Sequence, residues 1–231
     1  MRCLLLLCLL WALPAFSEPS KEPSKELNTA GFRLYQAGQY AQALEKFQAA
    51  VQADAHNALA QYNVAATLGV LRKQGKVCSY EAYRSTILQY LTQAVKLDPR
   101  RLKRAKEDAD FDGIRDTVGW QRLVGLSPAR VADVPELLRK VSWFGPGVGV
   151  YGTLVTLRFE EGGKVSLNRK IIQDEGPPKA ESLQGTYSVK GQKIEVRLSG
   201  QKPEVGTLRA DGQLSFKTLG EFSDSPSECD A

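Results

Sequence analysis

Chemistry requires reactive side chains in clusters, and few stretches of this chain supply one. The run Asp108-Ala109-Asp110-Phe111-Asp112-Gly113 has the one-three-five acidic spacing and following glycine of a calcium loop, in which alternate oxygens face one ion. Such a loop ends on a bidentate Glu at its twelfth position, and Gly119 stands there instead. Arg100, Arg101, Lys103, Arg104 and Lys106 form a basic run able to receive a carboxylate or a phosphate, although a solvated helix face has the same composition. His56, the only histidine, lies in a turn between helical stretches, which suits a surface role rather than proton transfer. There is no Cys-His pair to activate a nucleophile, no phosphate-binding glycine loop with its Lys-Ser or Lys-Thr, and no Cys/His spacing for a metal. Carboxylates are plentiful, but nothing in their order pairs them in space. The chain therefore reads as a non-enzyme without a cofactor.

The first residues, MRCLLLLCLLWALPAFS, carry one basic residue, an apolar core from Cys3 to Leu13, and small residues at Ala15 and Ser17 where a signal peptidase reads. That apolar run is shorter than the roughly 20 residues a spanning helix needs. Lipid attachment at Cys8 would require small residues just before it, and a leucine run stands there. The expectation is a signal peptide over 1–17, cleaved after Ser17, and export to the periplasm or the extracellular space, with membrane contact only through that segment. Residues 18–25, with two Pro-Ser-Lys units, read as a solvated, disordered leader.

Without Arg2 the chain has 30 basic and 26 acidic residues, a net charge of +4. From Glu18 to Pro128 the balance is 16 to 12, and from Ala129 onward it is 14 to 14. So small an excess does not imply nucleic acid and fits a mild preference for acidic partners of the first half. Cys78 and Cys229 are the cysteines left after cleavage. In an oxidising compartment such a pair often bonds, yet Cys229 lies in a polar tail, and an intermolecular bond fits the sequence as well.

These residues must be positioned by two kinds of element. From Glu26 to Gln36 and from Tyr40 to about Ala53 the apolar period is helical, with a turn at Ala37-Gly38-Gln39. Gly31, Gly38, Tyr40, Ala43, Phe47 and Ala50 are spaced to nest two antiparallel helices. This stretch resembles a tetratricopeptide repeat. Ala65 follows Gly31 by 34 residues, which is the family period, while Ile87 follows Ala43 by 44 and implies a ten-residue insertion near Arg72 to Ala82. Ala105, Asp108, Asp110, Phe111, Ile114, Arg115, Trp120 and Leu123 resemble the segment that closes short arrays of this family in bacterial proteins. That likeness accounts for the same aspartates as the calcium reading. The resemblance implies two repeats plus a capping half-repeat over 26–126, with the first helices lining a concave groove at Asn28, Phe32, Tyr35, Tyr62, Asn63 and Ala66. Some members clamp a peptide's terminal carboxylate with a Lys and an Asn; the matching positions here are Asn28 and Phe32, so that clamp is absent. Phe32, Tyr35 and Tyr62 would suit an apolar or aromatic partner segment, and packing within the array would use them equally well.

Residues 127–136, punctuated by Pro128 and Pro135, read as a linker or short helix. Beyond them the period becomes two: Val155, Leu157 and Phe159 share a face, and hairpins are expected at Glu161 to Lys164, Lys190 to Gln192 and Asp211-Gly212. About seven strands over 137–220 predict an antiparallel barrel or sandwich, followed by a disordered tail at 221–231. Trp143, the strand ending in Phe159, and Gly185-Thr186-Tyr187-Ser188-Val189 before Ile194-Glu195-Val196 resemble the small lipocalin-like domains of exported bacterial proteins. In such a domain the inward residues fill the barrel or line a pocket for an apolar ligand, and filling is the expectation for a barrel this short.

The fold class expected is thus α+β in two domains, a helical array and a β domain. The function expected is an exported, non-catalytic adaptor that holds a segment of a protein partner in the helical groove. Arg100, Arg101, Lys103 and Arg104 would be available to an acidic partner. The alternative is a carrier of a small apolar ligand in the β barrel.

Overall fold

The computed structural model describes residues 22–145, 153–171, 175–226 and 229. The signal peptide expected at 1–17, the glycine-rich loop from Pro146 to Gly152 and the first residues of the expected leader lie outside that set.

The chain is α+β. Its first part is helical: α1 (Glu22–Gln36), α2 (Tyr40–Ala53), α3 (Ala58–Lys73), α4 (Arg84–Leu97), α5 (Arg100–Glu107) and α6 (Val118–Leu123). Ala43, Phe47, Ala50, Ala65, Ile87, Leu91 and Ala94 are each exposed by 1 % or less, as their shared helical faces predict. Small side chains at these positions let neighbouring helices approach, and the large ones, Phe47, Ile87 and Leu91, fill the seams. Asn57 begins α3 by accepting from the Ala60 amide, and Thr117 does the same for α6 through the Trp120 amide. The expected insertion becomes the last turn of α3, a loop, and a 3₁₀ turn at Cys78–Tyr80.

The helical part begins earlier than expected. Residues 22–25 belong to α1 rather than to a disordered leader. Ser24 is fully buried, donates to the Ala50 carbonyl at 2.7 Å and accepts from Asn57 Nδ2 at 2.9 Å. A serine held between α2 and the start of α3 is satisfied by partners far along the chain, so leader composition could not reveal it.

The second part is one antiparallel sheet of eight strands in sequential order: β1 (Trp143–Phe144), β2 (Thr153–Phe159), β3 (Lys164–Ile171), β4 (Lys179–Lys190), β5 (Lys193–Leu198), β6 (Glu204–Leu208), β7 (Leu214–Phe216) and β8 (Gly220–Phe222). Phe144 and Ser223 exchange backbone hydrogen bonds at 2.8 and 2.9 Å, so the two ends of the sheet meet in a nearly closed barrel. β4 pairs with β3 through its first half and with β5 through its second, and the exchange falls at Gly185. A Cβ there would stand 2.1 Å from the Arg197 carbonyl oxygen, so only glycine permits the corner. Leu157, Phe159, Val165, Leu167, Ile194, Val196, Leu198, Leu208, Leu214, Phe216 and Phe222 fill the interior, each exposed by 5 % or less.

Two boundaries differ from expectation. The stretch 127–136, read as a linker or short helix, carries a 3₁₀ turn and then α7 (Val134–Lys140), which runs past the expected boundary and buries Val134, Leu137 and Leu138 fully in the barrel core. Trp143 Nε1 donates to the Leu138 carbonyl and ties that helix to β1. The tail taken as disordered supplies part of β8 and then returns to the helices. Phe222 is buried, Asp224 Oδ2 accepts from the Val118 amide at 2.7 Å, and Arg84 Nη1 donates to the Asp224 carbonyl at 3.0 Å. Cys78 and Cys229 are joined by a disulfide, their Cα atoms 5.7 Å apart. Asp224 and Cys229, polar members of this tail among the described residues, are thus held by the helical part.

Asp133 fastens the junction before α7. Its carboxylate accepts from the Ser127 amide at 2.8 Å and pairs with Arg130 at 2.5 Å, and the Arg130 guanidinium holds it below the usual carboxylate range. A pKa lowered by folding contributes stability above the unfolded value, and that contribution is lost as pH falls through the folded value. Asp133→Asn is therefore expected to melt below the wild type at pH 7 and to converge with it in acid, as the pH falls below the usual carboxylate range. Parallel melting curves with a constant gap across that range would contradict the assignment.

Candidate functional site

α1 and α3 lie side by side, joined through the Asn57–Ser24 contact and, further along, by Asn63 Nδ2 donating to Asn28 Oδ1 at 2.9 Å. Residues four apart share a helix face, so Phe32 extends the Asn28 face and Leu59 the Asn63 face. Phe32 is 44 % exposed and Leu59 39 %. The result is a shallow surface with two apolar side chains and a hydrogen-bonded amide pair at its middle. Leu59 was missed in the sequence reading; its place four residues before Asn63 is the signal that could have found it.

The closing segment covers the other end of this surface. Asp108 begins a 3₁₀ turn at Ala109–Ile114 and caps it by accepting from the Asp110 amide. The three aspartates then diverge. Asp108 Oδ2 accepts from the Tyr62 hydroxyl at 2.7 Å, Asp110 accepts from the Tyr35 hydroxyl, and Asp112 pairs with Arg115 at 3.0 Å and Lys73 at 3.5 Å. Burial, reinforced by the carboxylate each one bonds, pushes both phenols well above the ordinary tyrosine range. Burial also raises Asp110, against the lowering effect of the Tyr35 hydrogen bond. Among the described residues no group of three or more His, Cys, Asp or Glu is placed to hold a metal ion.

Of the six groove positions, the structure exposes Phe32, leaves Tyr35 and Asn63 half-buried, and buries Asn28, Tyr62 and Ala66. Tyr62 and Ala66 are corrected to packing residues. Tyr62 is 2 % exposed and meets the Phe111 ring edge-on at 5.3 Å, which the closing segment brings over it. The carbonyl of Asp110 comes so close to α3 that a Cβ at Gly69 would lie 2.0 Å from it. Within the basic run, Arg100 and Arg101 both turn to Asp98, at 2.8 and 3.2 Å, while Lys103 and Arg104 remain exposed. Arg104 carries its guanidinium 5.8 Å from the centre of the Tyr62 ring, beside the α1–α3 surface.

No family model matches the chain, and no curated protein is significantly similar to it.

Proposed function

We propose that the protein is an exported, non-catalytic adaptor whose helical part is a short tetratricopeptide array closed by its own capping half-repeat, and whose barrel is lipocalin-like. The exposed pair Phe32 and Leu59, flanking the Asn28–Asn63 hydrogen bond, carries the reading. Exposed apolar side chains around fixed amides suit an extended partner segment: its side chains cover the Phe and Leu, and its backbone meets the remaining donor of Asn28 and acceptor of Asn63. Lys103 and Arg104 stand where an acidic residue next to that segment would find them. The packed barrel interior favours this reading over the carrier of an apolar ligand.

The experiment is a pull-down from the exported fraction with residues 18–231 as bait. Phe32→Ala with Leu59→Ala is expected to weaken capture of a reproducible protein partner by about tenfold or more, the scale of losing about 1.4 kcal/mol of contact. Both positions are surface sites, so the melting temperature should barely move. Equal capture by the double variant and the wild type would rule out this face as the docking surface.

A further inference from the structure

We infer that a second docking site lies in the trough between the two parts of the molecule and that it takes an acidic peptide segment. The site lies away from the α1–α3 surface and does not depend on the reading given to that surface. Its central cleft, about 510 Å³, runs between the last turn of α7 and the outer face of β2 and β3. Leu157 and Phe159 point into the barrel, so the alternation of β2 turns Arg158 outward into the cleft. The last turn of α7 supplies Arg139 and Lys140 opposite it. Through Asp116 and Lys140 the cleft continues to a lobe bordered by Lys106, Arg115 and Gln121. Ser166 and Asn168 of β3 add polar groups to the barrel wall.

The charge pattern decides what fits. Asp116 is engaged by Arg84 at 3.2 Å and Glu136 by Lys140 at 2.7 Å; Glu160 lines the central cleft with Arg139 and Arg158, and Glu161 lies just beyond it. Lys106, Arg139 and Arg158 are exposed and have no carboxylate partner among the described residues. Three unpaired cations from α5, α7 and β2 along one trough call for an extended ligand with several negative groups rather than a compact ion. Gln121 adds a second requirement. It is 4 % exposed, its amide nitrogen donates to the Arg115 carbonyl at 2.7 Å, and its Oε1 accepts from nothing among the described residues. A buried acceptor of this kind calls for an N–H or O–H donor. A peptide bearing Asp or Glu brings carboxylates spaced along the trough for the cations and amide N–H groups for the glutamine; a compact phosphate or sulfate cannot span cations on three elements.

The test is fluorescence anisotropy with a labelled hexaglutamate peptide at low ionic strength, using the full mature chain. The wild type is expected to bind, and raising the salt to about 0.5 M should weaken binding strongly. Arg139→Gln with Arg158→Gln should weaken it at least about tenfold, and Lys106→Gln, at the other end, about threefold. Phe32→Ala with Leu59→Ala should bind hexaglutamate as the wild type does, which separates this site from the α1–α3 surface. Inorganic pyrophosphate should compete poorly. Wild-type affinity in the Arg139/Arg158 variant would overturn the proposal, and so would competition by pyrophosphate equal to that of unlabelled hexaglutamate, since that would make the trough a simple anion site.

Discussion

Reduction of the Cys78–Cys229 disulfide is expected to lower the unfolding free energy by about 2–5 kcal/mol, the effect of releasing a long loop in the unfolded chain. The bond spans a sequence separation of 151, so it encloses α4 through β8 and removes a large set of unfolded conformations. It also holds the returning tail on the helical part, beside the Arg84–Asp224 and Val118–Asp224 hydrogen bonds. Cys78 is exposed, so mild reductant should reach it. Urea unfolding of the oxidised wild type, the reduced wild type and Cys78→Ser with Cys229→Ser would measure the effect. The last two are expected to agree with each other and to lie below the first. If all three share one midpoint, the bond contributes nothing to stability.

Phe111→Ala is expected to cost about 3–5 kcal/mol, the range for emptying a large buried aromatic position. Phe111 is fully buried, stacked at 6.5 Å on Trp120 and edge-on to Tyr62. It is the apolar anchor of the closing segment, with the Tyr35–Asp110 and Tyr62–Asp108 hydrogen bonds on either side. Those bonds alone cannot hold the segment, because each is partly offset by the cost of burying a carboxylate. Denaturant unfolding with a loss below about 1 kcal/mol would show that the segment is held mainly by its polar contacts.

The periodicities of this chain determined a good deal. Ala43, Phe47, Ala50, Ile87, Leu91 and Ala94 recur at helical spacing, and all of them are buried where that spacing puts them. Val155, Leu157 and Phe159 alternate, and the expected hairpins separate strands that pair antiparallel in chain order. Such patterns are legible because a helix or strand presents every fourth or second residue to the same side, whatever lies beyond it. Phe32 was legible as a surface aromatic for the same reason.

What lies opposite each face was left to the tertiary structure. Tyr62 and Phe32 look alike in sequence, yet Phe111 and Asp108 arrive over one and nothing described covers the other. The aspartates suited a shared ion by spacing, and the 3₁₀ turn sent them to Tyr62, Tyr35 and Arg115 instead. Residues 127–136 read as a linker or short helix and the tail as disordered because their apolar positions are few and short. α7 nevertheless buries Val134, Leu137 and Leu138 in the barrel, and Phe222, Asp224 and Cys229 bind partners up to 151 residues away. The trough of Lys106, Arg139 and Arg158 has no sequence signature at all, because its cations come from three elements distant in the chain: α7 and β2 meet within the barrel, and α5 joins them from the helical part. Local patterning determines which side of an element is apolar; only packing decides which partner that side receives, because the burial and pairing energies that select it act between residues distant in the chain.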